Sequence, residues 1–410
     1  MRSSRCTTRL TATIATLAVA ALIAPVAPAA PSSAQDAERA RPSLRATLQQ
    51  DATDLLAQGA PGVLADVRTP RGVLKVRAGV ADTRTGRPVP WNTRFRVGSL
   101  TKPFVSTALL QLVGRGRLSL SDTVDDWLPG LVRGHGNDGR KVTVRQLLQH
   151  TSGLPEYLQG MPWLFSQEGF EAHRFDTVTP RQAVRTAMRY RPEFKPGTSW
   201  SYSNTNYQLA GMVIEAVTGR PWQRAVRRGI LRPLGLDQTV LPGTWSGLPK
   251  PHAVGYERFA GPDATPEDPG YGDPIDATRQ NPSWGGAAGD IISTTRDTNR
   301  FLRALVTGRL LKPAQQRQLM RTVPVNEAFD QNWPGAQYGL GLLRIPVSCG
   351  VAWAHGGDIM GFQTRNGVLE NGRRSVMITM NTDSFVPEPG APVLTEDKTN
   401  TLIDHALCPR

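Results

Sequence analysis

Gly98-Ser99-Leu100-Thr101-Lys102-Pro103 sets a serine and a lysine three residues apart, just ahead of a proline. Proline is tolerated in the first turn of a helix, where the backbone N–H has no intrahelical partner, and disfavoured further in. Pro103 therefore predicts a helix that begins at or near Ser99. Ser99 and Lys102 then share one face, one turn from each other. A helix start offers free N–H groups and positive potential, which can stabilise an oxyanion and lower the pKa of a nearby lysine. A neutral Lys102 can take the Ser99 proton, the activation that a weak serine nucleophile needs. Only seven of the 48 basic residues are lysines, so one at this position is informative. Taken alone, the stretch also fits an N-capping serine followed by an exposed lysine.

Two further polar stretches stand out. In Ser201-Tyr202-Ser203-Asn204-Thr205-Asn206-Tyr207, just ahead of a helical pattern, Tyr202 and Asn204 are two apart and can point to one side of an extended loop. A phenol there can relay a proton to a leaving group, and an amide can hold a lysine or a substrate carbonyl. The plainer reading is a polar N-capping turn. In Trp353-Ala354-His355-Gly356-Gly357-Asp358, Val351–His355 reads as a strand that ends at two glycines. Glycines there let a substrate backbone approach the strand edge. The plainer reading is a core-edge histidine before a turn.

Together the three form an ordered set. Ser-x-x-Lys, then Tyr-x-Asn about 100 residues later, then His-x-Gly about 150 after that, resembles the serine β-lactamase and penicillin-binding-protein superfamily. The chain is similar to the class C β-lactamase and D-alanyl-D-alanine carboxypeptidase branch. Phe95-Arg96-Val97-Gly98-Ser99, Leu147-Leu148-Gln149-His150-Thr151-Ser152-Gly153-Leu154, Pro196-Gly197 ahead of Ser201-Tyr202-Ser203-Asn204, and Gly285–Ser293 preceded by Trp284 extend the likeness over roughly residues 45–408. The resemblance implies acyl transfer through a covalent ester on Ser99. Lys102 is then the base. Tyr202 passes the proton to the departing nitrogen and later helps activate water. Asn204 positions Lys102 and substrate, and His355 stands where the family's third motif has a lysine. The backbone N–H groups of Ser99 and Asp358 would form the oxyanion hole, with Gly356, Gly357 and Trp284 lining the substrate path. His150 is expected to be structural rather than catalytic. No metal or organic cofactor is implied.

The substrate is less constrained. Carboxypeptidases of this branch hold the terminal carboxylate with hydroxyls in the third motif and an arginine on the preceding strand. Here the motif positions are Gly356 and Asp358. The strand Gly339-Leu340-Gly341-Leu342-Leu343-Arg344 puts Leu343 where the arginine belongs. Arg344 is one residue away and on the opposite face unless a bulge recovers it. Asp358 would repel a carboxylate and welcome an amine. The leading expectation is a D-alanyl-D-alanine carboxypeptidase acting on peptidoglycan stem peptides and acylated by penicillins. A β-lactamase, esterase or D-aminopeptidase with the same chemistry, or a weakly active penicillin-binding sensor, remains open.

Outward from these motifs, Ala37–Gln58 reads as a first helix. Gly62–Arg68 and Gly72–Val80 alternate as strands around a turn at Thr69-Pro70-Arg71-Gly72. Met360–Leu369 and Arg373–Met380 flank Asn371-Gly372, a strong hairpin signal. Leu402, Ile403 and Ala406 give Thr395–Leu407 helical spacing. Ser106–Gly114 and Asn206–Gly219 are the clearest central helices. The expected fold is α/β (α+β) and β-lactamase/transpeptidase-like, an antiparallel sheet flanked by helices. An α/β lobe at about 40–101 and 285–408 would enclose a mainly helical lobe at about 102–284.

Residues 1–34 read as a secretory signal, with Arg2, Arg5 and Arg9 ahead of the uncharged run Leu10–Ala24 and small residues that allow cleavage after about 29 or 34. The run is shorter than the roughly 20 residues that span a bilayer, so no stable membrane anchor is expected. The working chain would be residues 35–408, a monomer outside the cell and associated with the wall. Removal takes three arginines and lowers the formal charge from +14 to +11. Three cysteines exclude a disulfide-dense scaffold and a four-cysteine zinc site. After export Cys349 and Cys408 remain, for which a disulfide is the expectation and two buried free thiols the alternative. Scattered arginines with no binding motif exclude a nucleic-acid partner; a general attraction to anionic wall polymers or membrane surface is the milder inference. The partners implied are peptidoglycan-type D-amino-acid peptides or β-lactams.

Overall fold

The alternating runs near the N-terminus form two long strands, β1 (Gly62–Thr69) and β2 (Gly72–Asp82), paired antiparallel from Gly62 opposite Gly79 to Thr69 opposite Gly72. This computed structural model describes residues 42–261, 270–384 and 398–409; the expected signal at 1–34 lies outside them. Eight further strands complete one sheet. They are β3 (Arg87–Pro88), β4 (Val323–Pro324), β5 (Gln337–Tyr338), β6 (Leu343–Val347), β7 (Gly350–Ala354), β8 (Gly357–Ile359), β9 (Phe362–Leu369) and β10 (Ser375–Met380). The order is β4-β5-β6-β7-β9-β10-β1-β2-β3, with β8 on β9, and every pairing is antiparallel. β1 lies against β10, Val63 opposite Met380, so the two ends of the chain share one sheet.

Period-two alternation decides what each face buries. On one face Val63, Ala65, Val67, Val376 and Ile378 pack against α1 (Leu44–Ala57) and the C-terminal helix through Leu48, Ala52, Leu55, Leu402, Ile403 and Ala406. α1 starts where the Ser43 hydroxyl accepts from the Ala46 N–H. The larger cluster joins Trp353, Val368 and Met377 of the sheet to three helices: α2 (Thr101–Gly114), α3 (Asn204–Thr218) and α4 (Thr295–Val306). Phe104 of α2 stacks on Phe301 of α4, ring centroids 3.6 Å apart. Each large apolar side chain taken from water there contributes roughly 1.5–3 kcal/mol. α3 stops at Gly219, which adopts the left-handed conformation expected of a helix-terminating glycine. The last helix is α5 (Lys398–Leu407). Among the described residues no helix is long and apolar enough to cross a membrane.

One strand differs from its sequence reading. Gly339–Arg344 is not continuous; β6 begins only at Leu343. Gly341 has φ +96°, and an added Cβ would lie 2.8 Å from Ser106 Cβ of α2. The chain turns there against the helix and enters the sheet two residues later.

Cys349 and Cys408 form a disulfide, Cα–Cα 5.5 Å, which ties the end of α5 to the residue before β7. The bridge closes a loop of 59 residues in sequence separation. The chain-entropy model gives such a loop roughly 4 kcal/mol of stabilisation. A Cys349→Ser/Cys408→Ser variant is therefore expected to lose about that much in urea unfolding. A loss below about 1 kcal/mol would show that the unfolded chain is already restrained.

Candidate active site

The helix signalled by Pro103 begins as a short 3₁₀ turn, Gly98–Leu100, that runs into α2. Ser99 sits on that turn and Lys102 in the first turn of α2. The Ser99 hydroxyl and Lys102 Nζ are 2.8 Å apart. Gly98 makes the approach of the third motif possible. Its φ is +53°, and a Cβ on it would stand 2.7 Å from both the backbone nitrogen and oxygen of Asp358. β8 therefore runs directly against the Ser99 turn and sets the backbones of Ser99 and Asp358 side by side.

Lys102 is completely buried, and burial lowers its pKa to about 7 against the opposing pull of Glu156 and Asp358. Its other two partners are Asn204 Oδ1 at 2.7 Å and the Ala288 carbonyl at 2.9 Å. Both can only accept, so they take two N–H groups. The remaining position of the amine, a third N–H when charged and a lone pair when neutral, faces Ser99. The site thus holds a lysine able to switch between donating to the serine and accepting its proton.

Asn204 is oriented from beneath. Glu156 Oε2 accepts from its backbone N–H at 2.6 Å and from its side-chain amide at 3.0 Å, while Oε1 accepts from the Leu158 N–H. Because Nδ2 is committed to Glu156, Oδ1 must face Lys102. Burial raises the Glu156 pKa. Sequence reasoning missed this residue, although a carboxylate two positions beyond the Ser152-Gly153-Leu154 loop was a usable signal.

Tyr202 lies over Lys102, with Nζ 4.8 Å from the ring centroid, and its phenol interacts with Ser99. Burial pushes its pKa well above the ordinary phenol range, so it stays protonated. His150 braces it. That ring is stacked on Tyr202 at 4.4 Å, and its Nδ1 accepts from the Ser203 N–H and the Asn206 amide. This is the structural part expected of His150.

His355 is buried beside Tyr202, ring centroids 6.3 Å apart. Its two nitrogens are both engaged. Nδ1 lies 2.7 Å from the Gly356 carbonyl, which can only accept, so Nδ1 carries the proton. Nε2 is then the acceptor for the Tyr338 hydroxyl at 2.9 Å. Burial, then Lys102, depress the His355 pKa to about 3, so the ring is neutral. Tyr338 was not singled out in the sequence; an isolated tyrosine before Gly339 offers no pattern.

Ser99, Asn204, Trp284 and Asp358 line one cavity of about 140 Å³ with Tyr157, Leu158, Leu164, Phe165, Ile359, Met360 and Asp383. Gly357 lies on β8 and Gly356 on the turn leading to it. Asp383 follows β10 and is a further residue the sequence did not signal. Arg344 is the one expected site residue that the fold does not bring in. It lies opposite Gln337 and Trp353, while its neighbour Leu343 shares a face with Tyr338 and Ala354. No bulge interrupts β6 to turn it over, and Arg344 is not among the residues that line the cavity.

The β-lactamase family model matches residues 44–397. The chain belongs to the β-lactamase family. This β-lactamase-family chain is a serine hydrolase of the superfamily that includes the penicillin-binding proteins. It is 40% identical to a D-stereospecific amidohydrolase from Streptomyces sp., with a TM-score of 0.78 over 90% of this chain and 99% of that one. A D-amino acid amidase from Ochrobactrum anthropi SV3 superposes with a TM-score of 0.72 at 29% identity, over 88% and 97% of the two chains. Penicillin-binding protein 4* of Bacillus subtilis is 28% identical over 290 residues, 70% of this chain; the match spans 60% of that protein's length.

Proposed function

We propose that this protein is an exported hydrolase that cleaves D-amino-acid amides and short D-peptides carrying a free amino group, by way of an ester on Ser99. The observation that supports it most is the charge of the cleft. Asp358 and Asp383 line the cavity, and among the described residues no arginine or lysine lines it. Burial and then repulsion from Asp358 raise the Asp383 pKa well above the usual carboxylate range, and a cation would relieve that repulsion. Arg365 is near, but its guanidinium already binds Asp358 at 2.7 Å. A carboxypeptidase needs a cation for the terminal carboxylate, so the D-alanyl-D-alanine carboxypeptidase reading loses support. A substrate ammonium finds complementary charge. The amidohydrolase and amidase likenesses agree, and Leu158, Leu164, Phe165, Ile359 and Met360 suit an apolar side chain.

In this mechanism neutral Lys102 takes the Ser99 proton as Oγ bonds to the carbonyl carbon. The charge formed on the carbonyl oxygen lies against the Ser99 and Asp358 backbone N–H groups. Tyr202, protonated and beside Ser99 and Lys102, gives its proton to the leaving nitrogen as the C–N bond breaks and regains one from Lys102. Water then attacks the ester by the same route in reverse. Asn204, held by Glu156, fixes Lys102. His355, neutral and tied to Tyr338, is a positioning residue.

The test compares D-phenylalanine amide, its N-acetyl derivative, the L-amide and diacetyl-Lys-D-Ala-D-Ala. The D-amide should be turned over fastest, and acetylation should lower kcat/KM by about tenfold or more through loss of a charge-assisted contact. Release of D-alanine from the diacyl peptide faster than ammonia from the D-amide would replace this reading with the carboxypeptidase one.

A further inference from the structure

A second cavity, of about 360 Å³, lies on α4 and shares no lining residue with the Ser99 cleft. Five of its seven lining residues are arginines: Arg68, Arg296, Arg300, Arg303 and Arg309; the others are Ala304 and Thr307. The arrangement is built by the fold. Arg296, Arg300 and Arg303 stand at i, i+4 and i+7 along α4, hence on one face. Arg309 comes just beyond the helix end, and Arg68 comes from the end of β1, a strand more than 200 residues away in sequence.

Little offsets this charge. Among the described residues the only ion pair made by any of the five is Arg68 to Asp66 at 3.1 Å, and that carboxylate is also bridged by Lys75. Asp297, next to Arg296, is turned inward, where its Oδ2 accepts from the Gln238 N–H and the Thr239 hydroxyl. Arg303 donates to the Gly372 carbonyl at 3.3 Å. Burial, then repulsion from Arg68 and Arg309, lowers the Arg303 pKa. Guanidinium groups crowded in this way are stabilised by an oxyanion that can bridge several of them. Their planar forks match phosphate bidentately. The volume falls at the small end of ligand pockets, which run from about 300 to 1,000 Å³.

We propose that this arginine-lined recess is a binding site for a phosphate-bearing polyanion, holding the enzyme to a phosphodiester polymer while the separate Ser99 cleft remains open. A concave recess lined by five arginines suits phosphates on a flexible chain better than the plane of a membrane. The inference does not depend on which amide the Ser99 cleft cleaves.

The experiment measures binding of fluorescent poly(glycerol phosphate) to the purified protein at fixed ionic strength. The Arg296→Gln/Arg300→Gln/Arg303→Gln variant is compared with an Arg181→Gln/Arg185→Gln/Arg189→Gln control. The control removes the same charge from exposed arginines on and just after the helix Pro180–Ala187. Wild type and control should bind alike, tripolyphosphate should compete, and the α4 variant should lose about tenfold or more in affinity. Its thermal midpoint and its Ser99 labelling by an uncharged fluorophosphonate should match wild type, which separates lost binding from misfolding. Equal losses in the two variants would reduce the effect to net charge. Absence of wild-type binding, failure of tripolyphosphate to compete, or binding only to phosphatidylglycerol vesicles would each overturn the site.

Discussion

Ser99→Ala is expected to abolish covalent labelling by an uncharged serine-directed fluorophosphonate and to lower amide turnover by about 10⁴-fold or more. The reason is geometric. Ser99 holds the hydroxyl that meets Lys102 Nζ at 2.8 Å. The other hydroxyls nearby are committed or unsuited. Tyr157 donates to the Trp284 carbonyl, and burial drives its phenol far above the ordinary range. Tyr202 likewise stays protonated. Neither can form an ester near neutral pH. The substitution leaves Lys102 bonded to Asn204 and Ala288, so the fold and the oxyanion donors persist, and the residual rate is theirs. Intact-mass spectrometry after incubation reads the result. Equal adducts on wild type and variant would remove Ser99 from the nucleophile's position.

The extent to which this site could be read from the chain follows from how locally each part is encoded. The Ser99–Lys102 contact lies within one helical turn, and Pro103 marks where that turn starts. The hairpins β1–β2 and β9–β10 are written in alternation and turn residues, and their strands appear within a few residues of the expected bounds. Gly361 and Asn371-Gly372 bend the chain first, so β9 and β10 begin at Phe362 and Ser375. That Arg344 lies on the opposite face from Leu343 also followed from period two. What escaped was set by contacts distant in sequence. Glu156 acts on Asn204 across 48 residues, and Tyr338 meets His355 across the sheet. Asp383 enters the cleft only because β10 ends beside it. His355 was expected to stand for the motif's lysine. Its tautomer depends on the Gly356 carbonyl and Tyr338, which no residue pattern reports. The arginine recess likewise needs β1 brought to α4.

Lys102→Met is expected to lower the rate of fluorophosphonate labelling at Ser99 by about 10²–10⁴-fold, the range of a lost general base, and to flatten its pH profile. In the wild type that rate should rise with pH through about 7, where burial places the Lys102 pKa. The sign follows from the three acceptors around Nζ. Below that pKa the ammonium donates to Ser99, Asn204 and Ala288, and the Ser99 proton has nowhere to go. Above it the lone pair faces Ser99 and takes the proton. His355 titrates near 3 and Tyr202 far above neutrality, so neither supplies this limb. Glu257 does require a control, because burial raises its carboxyl to about 7 as well. It accepts from the Gly361 N–H at 2.7 Å and does not line the Ser99 cavity. A Glu257→Gln variant should therefore keep the limb, and Lys102→Met should lose it. The opposite pattern would move the base away from Lys102, and with it the claim that desolvation at the start of α2 is what activates the serine.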